Sequence, residues 1–168
     1  MRVLLNGGSH SDLPAIWHLK NAGHEIITSG NKPSERGHRV SHQYVGADFS
    51  DSDAVRQVIR DTKPDILLPS CNDYSYLTAC ALAEEFGFKG YDPVETARTL
   101  HLKDSFRGVC ANLGIPAPRH KSFAIPSPNY EHDLRYPVLV KSTDLTGGKG
   151  IFRCRNGEEL RSAANAIR

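Results

Sequence analysis

The chain has 168 residues, of which 39% are hydrophobic and 24% are charged, and its formal net charge is +2. This length suits one good hydrophobic core or two small units, and the composition is that of an ordinary globular protein. The small net charge, with no block of about five like charges, argues against a nucleic-acid-binding tail. No apolar run approaches the roughly 18 residues of a membrane-spanning helix, and the N-terminal apolar stretch is too short for a secretory signal.

The four cysteines and eight histidines are scattered along the chain. No C-x-x-C occurs, which favours free thiols in a reducing cytosol, so we expect a cytoplasmic protein. His38 and His42 have the spacing of two metal ligands on one helix face. Gly37 disfavours a helix at that point, however, and we expect no metal site.

The N-terminal half of the chain alternates between strand and helix patterns. Short apolar runs predict the strands, which are 2–6, 25–29, 43–45 and 65–69. Capping residues and terminating glycines mark the ends of three predicted helices. The first is capped by Ser9, Ser11 or Asp12 and runs to about residue 22, and the others cover 53–61 and 76–86. This order predicts an α/β fold, a parallel sheet with helices on its faces. Trp17 and Tyr76 are interpreted as core residues.

Ligands of such sheets bind outside the carboxyl ends of the strands. Two loops stand out at that edge because they combine glycine with small polar residues. The first is Gly7-Gly8-Ser9, and the second is residues 70–73, which include Asn72 and Asp73.

A different organisation begins near Pro93. Residues 94–113 are predicted to be helical, in one or two pieces. Pro116 and Pro118 then form a rigid connector, because proline fixes φ and stops a helix. Three short strands are predicted over 120–125, 137–141 and 150–154. A closing helix is predicted over 158–167.

The most informative segment follows the second of these strands. That strand ends on Lys141, and Thr-Gly-Gly-Lys-Gly occupies residues 146–150. Because glycine has no Cβ, its backbone N–H groups can approach an anion closely. Two lysines beside such a loop suit a polyphosphate. The segment is not a Walker A loop, since G-x-x-x-x-G-K-[ST] is absent.

Together these segments resemble the N-terminal portion of an ATP-grasp ligase, of the carbamoyl-phosphate-synthase-large-chain-like or carboxylate–amine ligase-like type. Each matching phrase is weak alone, but their order and spacing over most of the chain make the match specific. The phrases are PDILLP from Pro64, KDSF from Lys103, GIPAP from Gly114, YPVLVK from Tyr136, TGGKG from Thr146 and EEL from Glu158. The resemblance implies a Rossmann-like pre-ATP-grasp domain over 1–98, a helical connector over 99–118 and a truncated small α+β ATP-grasp subdomain over 119–168.

The resemblance also implies roles for individual residues, although it assigns no catalytic residue. Two lysines match those that contact ATP phosphate, and the glycine-rich loop matches the one that folds over the β- and γ-phosphates. The ATP-binding residues would be Lys103, Lys141, Thr146, Gly147, Gly148, Lys149 and Gly150. The two loops at the sheet edge lie where the family often binds its carboxylate substrate. The substrate-binding residues would be Gly7, Gly8, Ser9, Asn72 and Asp73.

The family's reaction activates a carboxylate as an acyl phosphate, which an amine or similar nucleophile attacks. The implied cofactors are ATP and Mg²⁺, and the implied partners are small molecules rather than nucleic acid or membrane. The subdomain that supplies the family's metal ligands should follow residue 168. We therefore expect this chain alone to be inactive, as a truncated piece or as one chain of a split enzyme whose second chain supplies the rest. The oligomeric state is left open.

Plainer interpretations stand beside these assignments. Lys141 and Lys103 could be solvated surface lysines, residues 146–150 only a hairpin turn, and Asn72 only a helix cap. Two other functions stay open. One is a non-catalytic nucleotide- or ligand-binding module. The other is a Rossmann-type NAD(P)-dependent epimerase or reductase, although G-x-G-x-x-G and Tyr-x-x-x-Lys are both absent.

Overall fold

The structure, a computed structural model, describes residues 1–127, 129–144 and 150–167. The chain forms two compact units, Met1–Arg98 and Thr99–Arg168. None of the helices in the described part of the chain combines the length and the apolar character that a membrane crossing requires.

The first unit is built on a four-stranded parallel sheet with the strand order β3-β2-β1-β4. Its strands are β1 (Arg2–Asn6), β2 (Glu25–Gly30), β3 (Gln43–Gly46) and β4 (Ile66–Pro69). A short 3-10 turn (His10–Asp12) precedes the first helix. The helices are α1 (Leu13–Asn21), α2 (Arg36–Val40), α3 (Ser52–Thr62), α4 (Asp73–Phe86) and α5 (Val94–His101), the last of which crosses into the second unit. The predicted α/β class is confirmed.

Both faces of the sheet are covered, so alternate residues of the central strand β1 enter different cores. Leu4 packs in a cluster with residues of α3 and α4, such as Val55 and Leu82. Val3 packs on the opposite face in a cluster with Ile16 of α1. A strand buried on both faces is apolar along its whole length rather than at every second residue. This explains the unbroken apolar run that revealed β1 in the sequence.

Capping residues set the starts and ends of helices in the first unit. The Asp51 side chain accepts hydrogen bonds from the backbone N–H groups of Asp53 and Ala54 at the start of α3. Gly87 closes α4 in the left-handed conformation, which glycine adopts without a Cβ penalty. Local sequence signals therefore set these boundaries.

The second unit contains α6 (Lys103–Asn112), β5 (Val138–Lys141), β6 (Ile151–Cys154) and α7 (Gly157–Ala166). The two strands pair antiparallel, with Val138 opposite Cys154. Its small core consists of Cys154 and residues of α7 such as Leu160, with Val140 and Phe152 packed against them. Among the described residues, this cluster has fewer buried apolar side chains than the two clusters of the first unit together.

Three predictions of local structure are wrong. Residues 120–125 form neither strand nor helix and are mostly exposed. Trp17 is 52% exposed, because the buried face of α1 consists of Leu13 and Ile16. Residues 36–40 are helical despite Gly37, because the helix packs directly on the backbone of Gly8 and a glycine is needed there.

We expect Leu4→Ala to lower the free energy of unfolding of the first unit by about 2–5 kcal/mol, since it leaves a cavity in a closed core. Trp17→Ala removes a larger but exposed side chain and should change that free energy by about 0.5 kcal/mol or less. Urea denaturation followed by circular dichroism measures both. Equal losses in the two variants would contradict the core described above.

Candidate functional site

A buried carboxylate organises the edge of the sheet where the parallel strands end. Asp12 is only 2% exposed. It accepts hydrogen bonds from the backbone N–H of Ser9 at 2.7 Å and from the Ser9 hydroxyl at 2.9 Å. It also accepts from the Ser70 hydroxyl at 2.8 Å and from the backbone N–H of Cys71 at 3.0 Å. One carboxylate therefore ties the loop after β1 to the loop after β4.

This connection lies at the point where the strand order reverses. From β1 the chain proceeds to β2 and β3 on one side, and β4 then pairs on the other side of β1. In open parallel sheets, ligands bind in the crevice outside the strand ends at such a reversal. The loops joined by Asp12 are the two that border this position.

The side chain of Asn6 supports the same edge of the sheet. The Asn6 side chain donates to the Phe49 carbonyl at 3.0 Å and accepts from the Ser29 hydroxyl at 3.0 Å. The Ser75 hydroxyl of α4 donates to the Asn6 backbone carbonyl. Since Asn6 is fully buried, these bonds satisfy groups that would otherwise be costly to bury. They fix the ends of β1 and β2 and the first turn of α4.

The predicted substrate residues Gly7 and Gly8 line a tightly packed turn. A Cβ on Gly7 would lie 2.2 Å from the Cβ of Ser70, and a Cβ on Gly8 would lie 2.2 Å from the His38 ring. Neither position therefore has space for a side chain. The structure places Ser9 beside Ser70 and Cys71 through their shared acceptor, Asp12.

The other two predicted substrate residues begin α4. The Asn72 side-chain oxygen accepts from the backbone N–H groups of Tyr74 at 2.9 Å and Ser75 at 3.4 Å. Asn72 is thus the helix cap that its plainer interpretation proposed. Asp73 is exposed in the first turn of the helix.

His38 of α2 is a buried titratable group behind the first loop. Its Nδ1 lies 3.0 Å from the Thr28 hydroxyl, and its ring centroid lies 4.2 Å from that of Tyr44. Burial lowers the pKa of His38 below its ordinary value of 6.5, although Glu35 and Asp12 act in the opposite direction. The ring is therefore held neutral at physiological pH.

In the second unit, the structure brings one predicted ATP-binding lysine to the segment that follows another. Lys103 begins α6, and both its backbone N–H and its Nζ donate to the Thr143 carbonyl at 3.1 Å. Thr143 lies two residues beyond Lys141, the exposed last residue of β5. Lys141 is paired across the hairpin with Ile151.

The glycine-rich segment is described only at its last residue. Gly150 has φ +63°, in the left-handed region that favours glycine, immediately before β6. Thr146, Gly147, Gly148 and Lys149 lie outside the described residues, so their predicted role stays a prediction. Within residues 1–127, 129–144 and 150–167, no group of three His, Cys, Asp or Glu side chains is placed to hold a metal ion.

Sequence reasoning missed the central members of the sheet-edge site. The sequence pattern predicts Asp12 only as a helix cap and His38 only as a weak candidate metal ligand. A usable signal was present, because small polar residues follow the apolar runs of neighbouring parallel strands, as at Asn6, Ser29 and Ser70. The carboxyl ends of parallel strands meet at one edge, so such residues gather there.

Comparison with known proteins gives a consistent set of relatives, although no family model matches the chain. Two curated relatives are named formate-dependent phosphoribosylglycinamide formyltransferase. The one from Dechloromonas aromatica is 26% identical over 175 residues, and the one from Pseudomonas entomophila is 28% identical over 170 residues. These matches cover 97% and 96% of this chain but only 42% of each relative. The chain therefore spans well under half the length of the curated relatives it matches.

A solved structure shows the same fold. Carboxyaminoimidazole ribonucleotide synthase from Aspergillus clavatus, complexed with ATP, matches with a TM-score of 0.81 at 18% identity. The match covers 99% of this chain and 44% of that one. The N-terminal portion of an enzyme of that fold thus contains the counterpart of both units.

We expect Asp12→Asn to lower the free energy of unfolding by about 2–4 kcal/mol, because the new amide N–H group would face buried donors that lose their acceptor. Asp61→Asn is a matched control. Asp61 is exposed and accepts from the Gln57 amide, so its change should be about 0.5 kcal/mol or less. Urea denaturation measures both, and a neutral Asp12→Asn would refute the organising role of this carboxylate.

We also expect stability to fall on acidification through His38. Its folded-state pKa is lowered, so the unfolded chain binds more protons between that pKa and 6.5. The contribution of His38 to the free energy of unfolding is therefore complete above about pH 6.5 and is lost as the pH falls through the folded-state pKa. Between about pH 7.5 and about pH 5.5, urea denaturation should show a smaller decrease in the free energy of unfolding for His38→Gln than for the wild type. Identical losses would contradict this assignment.

Proposed function

We propose an ATP-dependent, carboxylate-activating function for this chain, which belongs to the ATP-grasp superfamily and matches the N-terminal portion of its members. In this proposal residues 1–98 are the pre-ATP-grasp domain, 99–118 the helical connector and 119–168 the beginning of the small ATP-grasp subdomain. The complete enzyme would be a ligase or formyl transferase that uses a small carboxylate and an amine or similar nucleophile in the cytoplasm. This chain alone would lack activity.

The observation that carries the proposal is the double hydrogen bond from Lys103 to the Thr143 carbonyl. It brings a cation from the start of α6 to the segment between Lys141 and the glycine-rich sequence at 146–150. The main-chain bond satisfies an N–H group at the start of a helix, and the side-chain bond holds the Lys103 ammonium against the same carbonyl. In the proposal, Lys103, Lys141 and the glycine-rich sequence act together on one phosphate chain.

These residues suit a polyphosphate ligand. Phosphoryl transfer is promoted mainly by positioned cations and amides, because negative charge is spread over the phosphoryl oxygens. Lys103 and Lys141 would supply point charges, and the backbone N–H groups of residues 146–150 would supply donors. ATP, when bound, would supply the phosphoryl group that makes the carboxylate an acyl phosphate. Magnesium requires about six oxygen ligands, and we place its protein ligands in the larger subdomain that the longer relatives contain.

We place the carboxylate substrate at the sheet edge of the first unit, beside Gly7, Gly8 and Ser9 and the start of α4 at Asn72 and Asp73. Asp12 would not contact the substrate, because its oxygens are already engaged by the two loops. Its role would be to hold the Ser9 loop and the loop after β4 at a fixed separation. The relatives are named for their dependence on formate, which supports a small carboxylate here.

Calorimetric titration of the chain with Mg-ATP tests the phosphate-binding assignment. We expect Lys141→Ala and Lys103→Ala each to weaken binding by about 10-fold to 100-fold, the value of a hydrogen bond to a charged group. Lys121→Ala is the matched control, since Lys121 is an exposed lysine of the same unit, and its affinity should equal that of the wild type.

Other outcomes would contradict the proposal. Equal affinity in all four proteins would mean that neither lysine contacts the nucleotide. Tighter binding of NADP⁺ than of Mg-ATP would favour a reductase or epimerase. Mg-ATP binding without any turnover in the full-length protein would leave a non-catalytic binding module as the function.

A further inference from the structure

His38 occupies a cage that the mechanism proposed above does not use. The side chain is 2% exposed, and its ring lies between β2 and the loop after β1. Its Nδ1 is engaged with the Thr28 hydroxyl at 3.0 Å. Its Nε2 is buried and has no hydrogen-bond partner among the described residues. The Glu35 carboxylate is 3.8 Å from Nε2, beyond hydrogen-bond distance.

Three glycines make room for this ring and its helix. A Cβ on Gly8 would lie 2.2 Å from the ring, and a Cβ on Gly30 would lie 2.8 Å from Nε2. A Cβ on Gly37 would lie 2.6 Å from the Gly8 carbonyl oxygen. Because these distances are far below van der Waals contact, no side chain would fit between the ring and the loop after β1.

A short chain of bonds leads from this cage to the proposed substrate loop. The backbone N–H of Gly37 donates to the Gly8 carbonyl at 2.8 Å. The next residue, Ser9, donates its backbone N–H to Asp12 at 2.7 Å. The peptide that joins Gly8 to Ser9 is therefore fixed on one side by α2 with its histidine and on the other by Asp12.

We propose that His38 is a positioning residue for the proposed carboxylate site: its buried ring holds Gly8 in place and so sets the orientation of Ser9. The ring does not contact substrate, because Gly8 and Gly30 pack closely against it. The proposal rests on the proposed function only for the identity of the ligand, since the coupling of His38 to the loop belongs to the first unit itself.

Protonation should release this coupling. The charged and titratable groups that face the ring are Glu35 before α2, Asp12 of the 3-10 turn and Tyr44 of β3. The two carboxylates favour an imidazolium, but the His38 side chain is only 2% exposed to solvent, and the effect of burial on its pKa is larger. A proton gained at low pH would favour a closer approach of Nε2 to the Glu35 carboxylate, 3.8 Å away, and would change the packing of the ring against Gly8. The loop should therefore loosen as His38 is protonated.

Amide hydrogen exchange on the full 168-residue chain, followed by NMR without any ligand, tests the proposal. In His38→Ala, the protection factors of the Ser9 and Gly37 amides should fall by about 10-fold or more, as expected for a lost hydrogen bond. The Leu4 amide in the core should be unaffected. His38→Gln keeps a polar group near Thr28 and should restore most of the protection. His18→Ala, which removes an exposed histidine of α1, should match the wild type.

The pH profile separates positioning from a purely structural role. In the wild type, protection of Ser9 and Gly37 should fall with the same midpoint as the titration of the His38 ring, whereas in His38→Gln it should not change over that range. Unchanged protection in His38→Ala would overturn the proposal. So would a fall shared by Leu4, because His38 would then only stabilise the unit. Equal Mg-ATP affinity of the wild type, Lys103→Ala and Lys141→Ala would refute the proposed phosphate site but would leave these results intact.

Discussion

The first unit is organised around one buried carboxylate, Asp12, which has no cationic partner among the residues that the structure describes. A charge in that position is costly unless hydrogen bonds replace its water, and Asp12 receives them from Ser9, Ser70 and Cys71. Ser70 and Cys71 lie in one loop, 58 and 59 positions after Asp12, and Ser9 lies three residues before it. The two loops that border the reversal of strand order are therefore held at a set separation by a single side chain. Alternative loop arrangements would leave the charge unsolvated.

Much of this architecture was readable from the sequence, because it depends on local signals. Buried parallel strands are unbroken apolar runs, and caps such as Asp51 and Asn72 act through neighbours two and three residues away. The order of these elements then implies a parallel sheet and places its ligand edge. The resemblance to the ATP-grasp superfamily drew on the same runs and on the lysines that follow them.

The remaining features depend on contacts between distant residues, which the sequence does not display. The α2 helix forms against the propensity of Gly37 because the approach of Gly8 outweighs it. Asp12 looked like an ordinary cap because its partners lie in another loop. The strand predicted over 120–125 had suitable residues but acquired no neighbouring strand in the described part of the chain. The predicted phosphate-binding loop at 146–149 stays a prediction, while Lys103 is linked to the segment before it.

The glycine-lined cage around His38 also bears on how this protein could change. A side chain at position 8, 30 or 37 meets the ring or the opposing backbone, so each such change alone is blocked. A smaller residue in place of His38 would open the space at positions 8 and 30. The tolerance of these glycines thus depends on the residue at 38, and positions 8, 30 and 38 form one epistatic group. Redesign of the adjacent loop would have to change them together.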